Sequence, residues 1–226
     1  MKRLIQNPNL TLFYDESFLS NPVIKEHAPL CKEYLIAIKD VLDISLSEYN
    51  RVYVQRIDLR YPSYYTGHNC GDISRFFSSL KAKIKHDLKT KGKVGKCTLR
   101  YVWVREQLSS GNPHYHVALF LNKDVYFCLG DITKDSDNFS SMIKAAWASA
   151  LGIEYFEVKS SVHFPSNSTY YIYKGKDPYQ EEYRQCFYRL SYLAKIDTKI
   201  YSNGLKNLST SRKIKKRGSP LFNGYI

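Results

Sequence analysis

The apolar positions change period several times along the chain, and each change marks an element. From Cys31 to Ile44, "CKEYLIAIKDVLDI" places Tyr34, Leu35, Ile38 and Leu42 at helical spacing. The pattern then alternates in "RVYVQRIDLRY" from Arg51. Val52, Val54 and Arg56 face one way, and Tyr53, Gln55 and Ile57 face the other, which predicts a strand. "YPSYYTGHNCGD" reads as a loop in which Asp72 or Ser74 caps the next helix. In that helix, "ISRFFSSLKAKIKHDLKT", Phe76, Phe77, Leu80, Ile84 and Leu88 turn inward, and Lys81, Lys83, Lys85 and Lys89 stay in water. "CTLRYVWVREQ" and "HYHVALFLN" are strands, and the turn "LSSGNP" between them predicts an antiparallel hairpin.

Beyond the hairpin, "NFSSMIKAAWASAL" predicts a helix stopped by Gly152. "EYFEVKSSVHF" and "STYYIYKGKDPY" read as strands. "EEYRQCFYRLSYLAKIDTK" reads as one continuous helix, acidic at its start and basic at its end as the macrodipole favours. The first thirty residues read as an arm or an edge, and the stretch from Gly204 to Ile226 as a loop. The expected organisation is an N-terminal arm and helix over 1–50, a main domain over 51–203 and a basic tail over 204–226. The expected fold is α+β, with a central antiparallel sheet of about five strands and helices on one face.

Composition narrows the partners. A formal net charge of +13 calls for a polyanion, nucleic acid first and an anionic membrane surface second. No apolar run reaches the length of a spanning helix, and the start lacks the sustained apolar core of a signal peptide. Five scattered cysteines without a C-x-x-C pair suit reduced thiols better than a disulfide framework. A soluble, cytoplasmic protein is the expectation. Twenty tyrosines, several in "YPSYY" and "TYYIY", suit half-buried strands or stacking on unpaired bases.

The candidate chemistry lies in two places. His114 and His116 share one face of a strand, about 7 Å apart along it, and two neutral imidazoles so held can grip one divalent cation. Nitrogen donors suit Mn²⁺, Zn²⁺, Co²⁺ or Ni²⁺. The hairpin brings Glu106 and Gln107 opposite them. Glu106 is the anionic third ligand, Gln107 its rival, and pairing of Glu106 with Arg105 or a surface lysine the bland alternative. Three protein ligands on one side leave positions open for substrate, as in a catalytic metal site. In the late helix, Tyr188, Tyr192 and Lys195 can share a face. A phenol can attack a phosphodiester and form a covalent phosphotyrosine, while the ammonium stabilises the developing charge.

"HYH" followed by apolar strand residues resembles the His-hydrophobic-His motif of the HUH endonucleases. "YLAK…K" at 192–199 resembles the tyrosine motif of rolling-circle replication initiators. With "VHFP" at 162–165, "SYLAKIDTK" is most similar to the filamentous-phage gene II replication proteins and their prophage relatives of the YagK/YfjJ C-terminal-domain type. The likeness runs from about Arg51 onward. It implies a site-specific DNA nicking and joining enzyme that starts rolling-circle replication of a phage or mobile element. It also implies an HUH/RRM-like palm with the histidine strand central and the tyrosine on a neighbouring helix. On this likeness His114, His116 and Glu106 are the metal ligands, Tyr192 the nucleophile and Lys195 the motif lysine. The place of a second tyrosine one turn later holds Ile196, which leaves Tyr188 as the candidate for a relay.

The expected cofactor is a divalent metal ion, Mn²⁺ or Mg²⁺. The expected partners are single-stranded or origin DNA, with a host helicase and polymerase beyond it, in the cytoplasm of a bacterial host. Arg189, Lys199, Arg212, Lys213, Lys215 and Lys216 are the expected DNA contacts. The competing readings are a catalytically inactive DNA-binding regulator on the same fold and a basic RNA-binding module.

Overall fold

A computed structural model describes residues 2–92, 95–107, 112–175, 179–201 and 204–211. In chain order its first elements are β1 (Arg3–Leu4), β2 (Asn7–Phe13), β3 (Ser17–Phe18), β4 (Asn21–Pro22), β5 (Leu30–Cys31) and α1 (Lys32–Glu48). Then come β6 (Arg51–Leu59), α2 (Asp72–Thr90), β7 (Arg100–Glu106), β8 (His114–Asn122) and α3 (Phe139–Leu151). The last are β9 (Val162–His163), β10 (Thr169–Tyr173), α4 (Tyr179–Ser191) and β11 (Leu208–Thr210).

The centre is an antiparallel sheet of six strands in the order β10-β6-β8-β7-β11, with the short β9 also paired to β6. The histidine strand β8 is therefore central. The strand beyond the expected five is β11, a short piece whose pairing is tertiary. β11 forms within the stretch read as a loop, as the outer partner of β7.

Strand parity assigns the two faces. Tyr53, Ile57, Trp103, Tyr115, Val117 and Leu119 point to one side, where α2 and α3 cover them with Phe76, Leu80, Ile143 and Trp147. Val52, Val54, Val102, Val104, Ala118 and Phe120 point to the other, beneath α1 and α4. Helices cover both faces rather than the single face expected, because both parities of these strands are apolar and each demands a cover. A fully buried Leu or Phe contributes ~1.5–3 kcal/mol, so leaving either face bare is costly.

The amino-terminal region belongs to this core. Phe18, Val23, Leu30 and α1's Leu35, Ile38 and Leu42 pack with Phe187 and Leu190 of α4. Three further differences from the sequence reading have local causes. Asp72 does not cap α2 from outside. It is the helix's first residue, buried, and it accepts hydrogen bonds from Asn69 N and Tyr61 Oη. In "EYFEVKSSVHF", Tyr155–Val158 is a 3-10 turn closed by a reciprocal Glu154–Glu157 capping box, and only Val162–His163 pairs as strand. The late helix stops at Ser191, and Tyr192–Ala194 form a 3-10 turn. Ser191 Oγ donates to Tyr188 O at 2.6 Å and accepts from Ile24 N at 2.9 Å, so the amino-terminal segment captures the residue at which the helix ends.

Candidate metal centre and nucleophile

The apolar rows on the α1/α4 face become charged at one end of the sheet. On β6, Val52 and Val54 are followed by Arg56 and Asp58; on β7, Val102 and Val104 by Glu106. On β8 the row runs from Phe120 and Ala118 to His116 and His114. Register aligns these ends, with Glu106 opposite His114 and Asp58 opposite His116. The two imidazoles sit with ring centroids 5.0 Å apart. Both present Nε2 to one carboxylate oxygen: Glu106 Oε2 is 3.3 Å from His116 and 3.8 Å from His114.

The expected ligand set thus converges, its donor atoms within 4.8 Å of one another. Glu106 and His116 are buried, and His114 is partly open to solvent. Two nitrogens and one carboxylate oxygen on rigid strands fit a divalent cation of borderline hardness. Gln107 does not take part. It lies on the opposite face of the strand, where its Oε1 accepts from Arg105 Nη2 at 2.5 Å, which also removes Arg105 as the partner of Glu106.

Asp58 was not anticipated. Its Oδ1 is 2.6 Å from His116 Nδ1, the outer-carboxylate arrangement that fixes a ligating imidazole's tautomer and orientation. Its Oδ2 lies 3.6 Å from His163 Nδ1 on β9. The signal was in the sequence, since Asp58 continues the alternation of Val52, Val54 and Arg56 to the site end of β6.

Charge governs the protonation states here. Burial alone would push the Glu106 carboxyl up, but the His116 contact and the Lys199 ammonium hold it well below the usual carboxylate range. Asp58 is likewise held below its ordinary value, burial being outweighed by His116 and Arg56. Burial disfavours the His116 imidazolium, yet hydrogen bonds to Asp58 and Glu106 raise its pKa above the ordinary 6.5. His114 moves the other way, lowered by burial and by His116.

Tyr192 enters from the turn after α4. Its ring meets His116 edge-on at 5.9 Å and His27 at 5.0 Å, and the Arg56 guanidinium lies over it at 5.5 Å. Lys195 Nζ donates to Tyr192 Oη at 2.8 Å and to Glu106 Oε2 at 3.1 Å. Burial opposes the Lys195 charge, but these two partners raise its pKa. The backbone of Lys195 pairs with Leu30 in an isolated bridge, which ties the Tyr192 turn to the amino-terminal segment.

The other expected residues are more dispersed. Lys199, expected as a DNA contact, is buried inside the site instead of displayed on the surface. It is 4% exposed, its Nζ donates to Lys195 O at 2.6 Å and lies 3.4 Å from Glu106 Oε1, and burial pushes its pKa down to about 8. Tyr188 is off the Tyr192 face because the helix has already ended. It is 38% exposed and lines a groove with Tyr170, Tyr173, Arg184 and Arg189. Arg189 is half-buried there. Arg212, Lys213, Lys215 and Lys216 lie outside the described residues.

Comparison with known proteins places the chain. The YagK/YfjJ C-terminal domain matches residues 13–211. The chain belongs to that family. It is 37% identical to "Uncharacterized protein YfjJ" of Escherichia coli (strain K12) over 194 residues, which cover 79% of this chain and 93% of that protein. It is 35% identical to "Uncharacterized protein YagK" of the same organism over 193 residues, covering 80% and 92% respectively. No solved structure matches. Membership of the YagK/YfjJ family begins at residue 13, well before Arg51, in keeping with the shared core that joins the first fifty residues to the sheet. Among the described residues no helix is long and apolar enough to cross a membrane.

Proposed function

We propose that this YagK/YfjJ-family protein nicks and rejoins single-stranded DNA through a covalent bond to Tyr192, and that it initiates rolling-circle replication of a phage or mobile element in a bacterial host. The observation that carries this reading is the position of Lys195. One ammonium bonds the Tyr192 hydroxyl at 2.8 Å and the Glu106 carboxylate at 3.1 Å, joining a nucleophile to a metal-ligand set.

The protein's own groups suit the reaction. Lys195 donates to the phenol oxygen and fixes the direction of its remaining lone pair, while its positive charge faces the developing negative charge at phosphorus. Tyr192 Oη bonds to phosphorus and the P–O3′ bond breaks. The phenol proton passes to solvent, and the departing 3′ oxygen takes one up. The product is a 5′-phosphotyrosine and a free 3′ hydroxyl, and attack by such a hydroxyl on the phosphotyrosine reverses the step. Mn²⁺ or Mg²⁺ held by Glu106, His114 and His116 would supply the Lewis acid that polarises a non-bridging phosphate oxygen. Asp58 holds the His116 ring by Nδ1 so that Nε2 faces Glu106, the orientation in which it would serve a bound cation. A host helicase and polymerase are the partners such a nick would serve.

The test is incubation with single-stranded origin-region oligonucleotides and Mn²⁺, followed by denaturing electrophoresis and mass spectrometry of the adduct. A DNA-linked peptide containing Tyr192, lost in Tyr192→Phe and kept in Tyr188→Phe, is the expected result. Binding without any adduct would replace this reading with the inactive DNA-binding regulator.

A further inference from the structure

Two arginines near Tyr192 each carry a buried Nε that has no hydrogen-bond partner among the described residues. Arg56 is 2% exposed, and its Nε makes no hydrogen bond among the described residues. Its ion pair with Asp58 is long, 3.9 Å, and the same Asp58 oxygen is already engaged by His116 at 2.6 Å. Arg189, in the last turn of α4, repeats the pattern with a buried Nε that has no hydrogen-bond partner among the described residues. Burial disfavours the Arg56 charge, and the nearby Arg189 guanidinium adds to that. Like charges set together in a poorly solvated place are costly unless an anion completes them. Stacking of Arg56 on the Tyr192 ring, 5.5 Å away, satisfies none of its N–H donors.

The surroundings indicate what the anion belongs to. Arg189 lines a groove of about 970 Å³ between β10 and α4, whose walls include Tyr170, Tyr173 and Tyr188. Guanidinium donors paired with aromatic faces are the means by which proteins hold a single strand, phosphates on the cations and bases on the rings. We propose that Arg56 and Arg189 form a phosphodiester-binding subsite next to Tyr192, and that the adjoining nucleotides of a single-stranded nucleic acid run along the tyrosine-lined groove. The subsite rests on the DNA-processing reading only for the identity of its ligand. Its binding is measurable apart from nicking.

The experiment measures fluorescence anisotropy of a short labelled single-stranded DNA oligonucleotide against salt, using the full chain carrying Tyr192→Phe so that no covalent product forms. Arg189→Gln and Arg56→Gln should each weaken binding roughly tenfold, the worth of a charge-assisted hydrogen bond. Each should also reduce the slope of log affinity against log salt by ~0.7, one phosphate contact on a single strand. Arg56→Lys should keep the slope and lose affinity, because it retains the charge without the fork. Thermal melts followed by circular dichroism identify variants that remain folded; if Arg56→Gln unfolds, Arg189→Gln and Arg56→Lys decide. A folded Arg189→Gln with the parental slope, or a folded Arg56→Lys with the parental affinity, overturns the subsite. Failure of the parent to bind the oligonucleotide overturns it as well. Arginine-dependent binding in a chain whose unmodified Tyr192 forms no adduct keeps the subsite and removes the nicking reading. Adduct formation indifferent to both arginines does the reverse.

Discussion

Replacing Asp58 by asparagine isolates what the outer carboxylate does for the metal ligands. Asp58 Oδ1 stands 2.6 Å from His116 Nδ1, and its side chain is 10% exposed, so water screens little of its charge. Asparagine preserves the shape and one acceptor oxygen, and replaces the charge and the second oxygen with a neutral amide NH2. The His116 ring should keep its orientation while its Nε2 becomes a weaker donor to a cation. Loss of such an outer partner lowers metal affinity ~10–100-fold, or ~1.4–2.7 kcal/mol. Asp58→Asn should fall toward the lower end of that range, and Asp58→Ala, which also frees the ring to rotate, toward the upper end. Calorimetric titration with Mn²⁺ and the visible absorption of Co²⁺ give independent measures. Arg56 also loses its ion pair with Asp58, so a melt of each variant is needed to confirm the fold. If both variants titrate like the parent while His116→Ala fails to bind, His116 needs no help from Asp58 and the argument from their contact is wrong.

Two further outcomes follow from the protonation states. His116 is raised above its ordinary 6.5 and His114 is lowered, so His116 is the ligand whose proton an incoming cation must displace. Mn²⁺ affinity should therefore fall with acidification below the raised His116 pKa, by about tenfold per pH unit for one displaced proton, and Asp58→Asn should shift that fall to lower pH. For the metal-free protein, the raised His116 contributes stability that is full below about 6.5 and lost as pH rises through its folded value. Glu106, held low, contributes stability that is present above its ordinary 4.5 and lost as pH falls, so urea denaturation should find both an acid and a near-neutral decline. Lys199, pushed down to about 8 from 10.5, binds fewer protons folded than unfolded between those values, so its contribution to stability rises with pH across that window. Lys199→Met should abolish the rise in thermal melts and leave the salt slope of DNA binding unchanged; a lowered slope would restore it as a phosphate contact.

Where strand parity governs, the sequence was sufficient. The alternation of Val52, Val54 and Arg56 against Tyr53 and Ile57 is the alternation of the two cores. A hairpin closed between Glu106 and His114 brings that pair into register. Parity also pointed to Asp58, which needed only to be followed two residues further. The readings that failed depended on distant segments. Helical spacing continues past Ser191, but the chain does not, because Ile24's amide is bonded to that serine's hydroxyl across 167 positions of sequence. Lys199 looks like any surface lysine until Glu106 is placed beside it. β11 is a strand because β7 has a free edge, which local pattern does not record. The partnerless Nε atoms of Arg56 and Arg189 likewise emerge only when strand and helix are brought together.

The Leu30–Lys195 bridge makes a cut at residue 50 a poor way to dissect this protein. A fragment starting at Arg51 would keep Glu106, His114, His116 and Tyr192 in its sequence, yet lose the strut that holds the Tyr192 turn against the sheet. Chimeras between family members should accordingly exchange the first thirty residues and the segment around 188–199 as one matched unit.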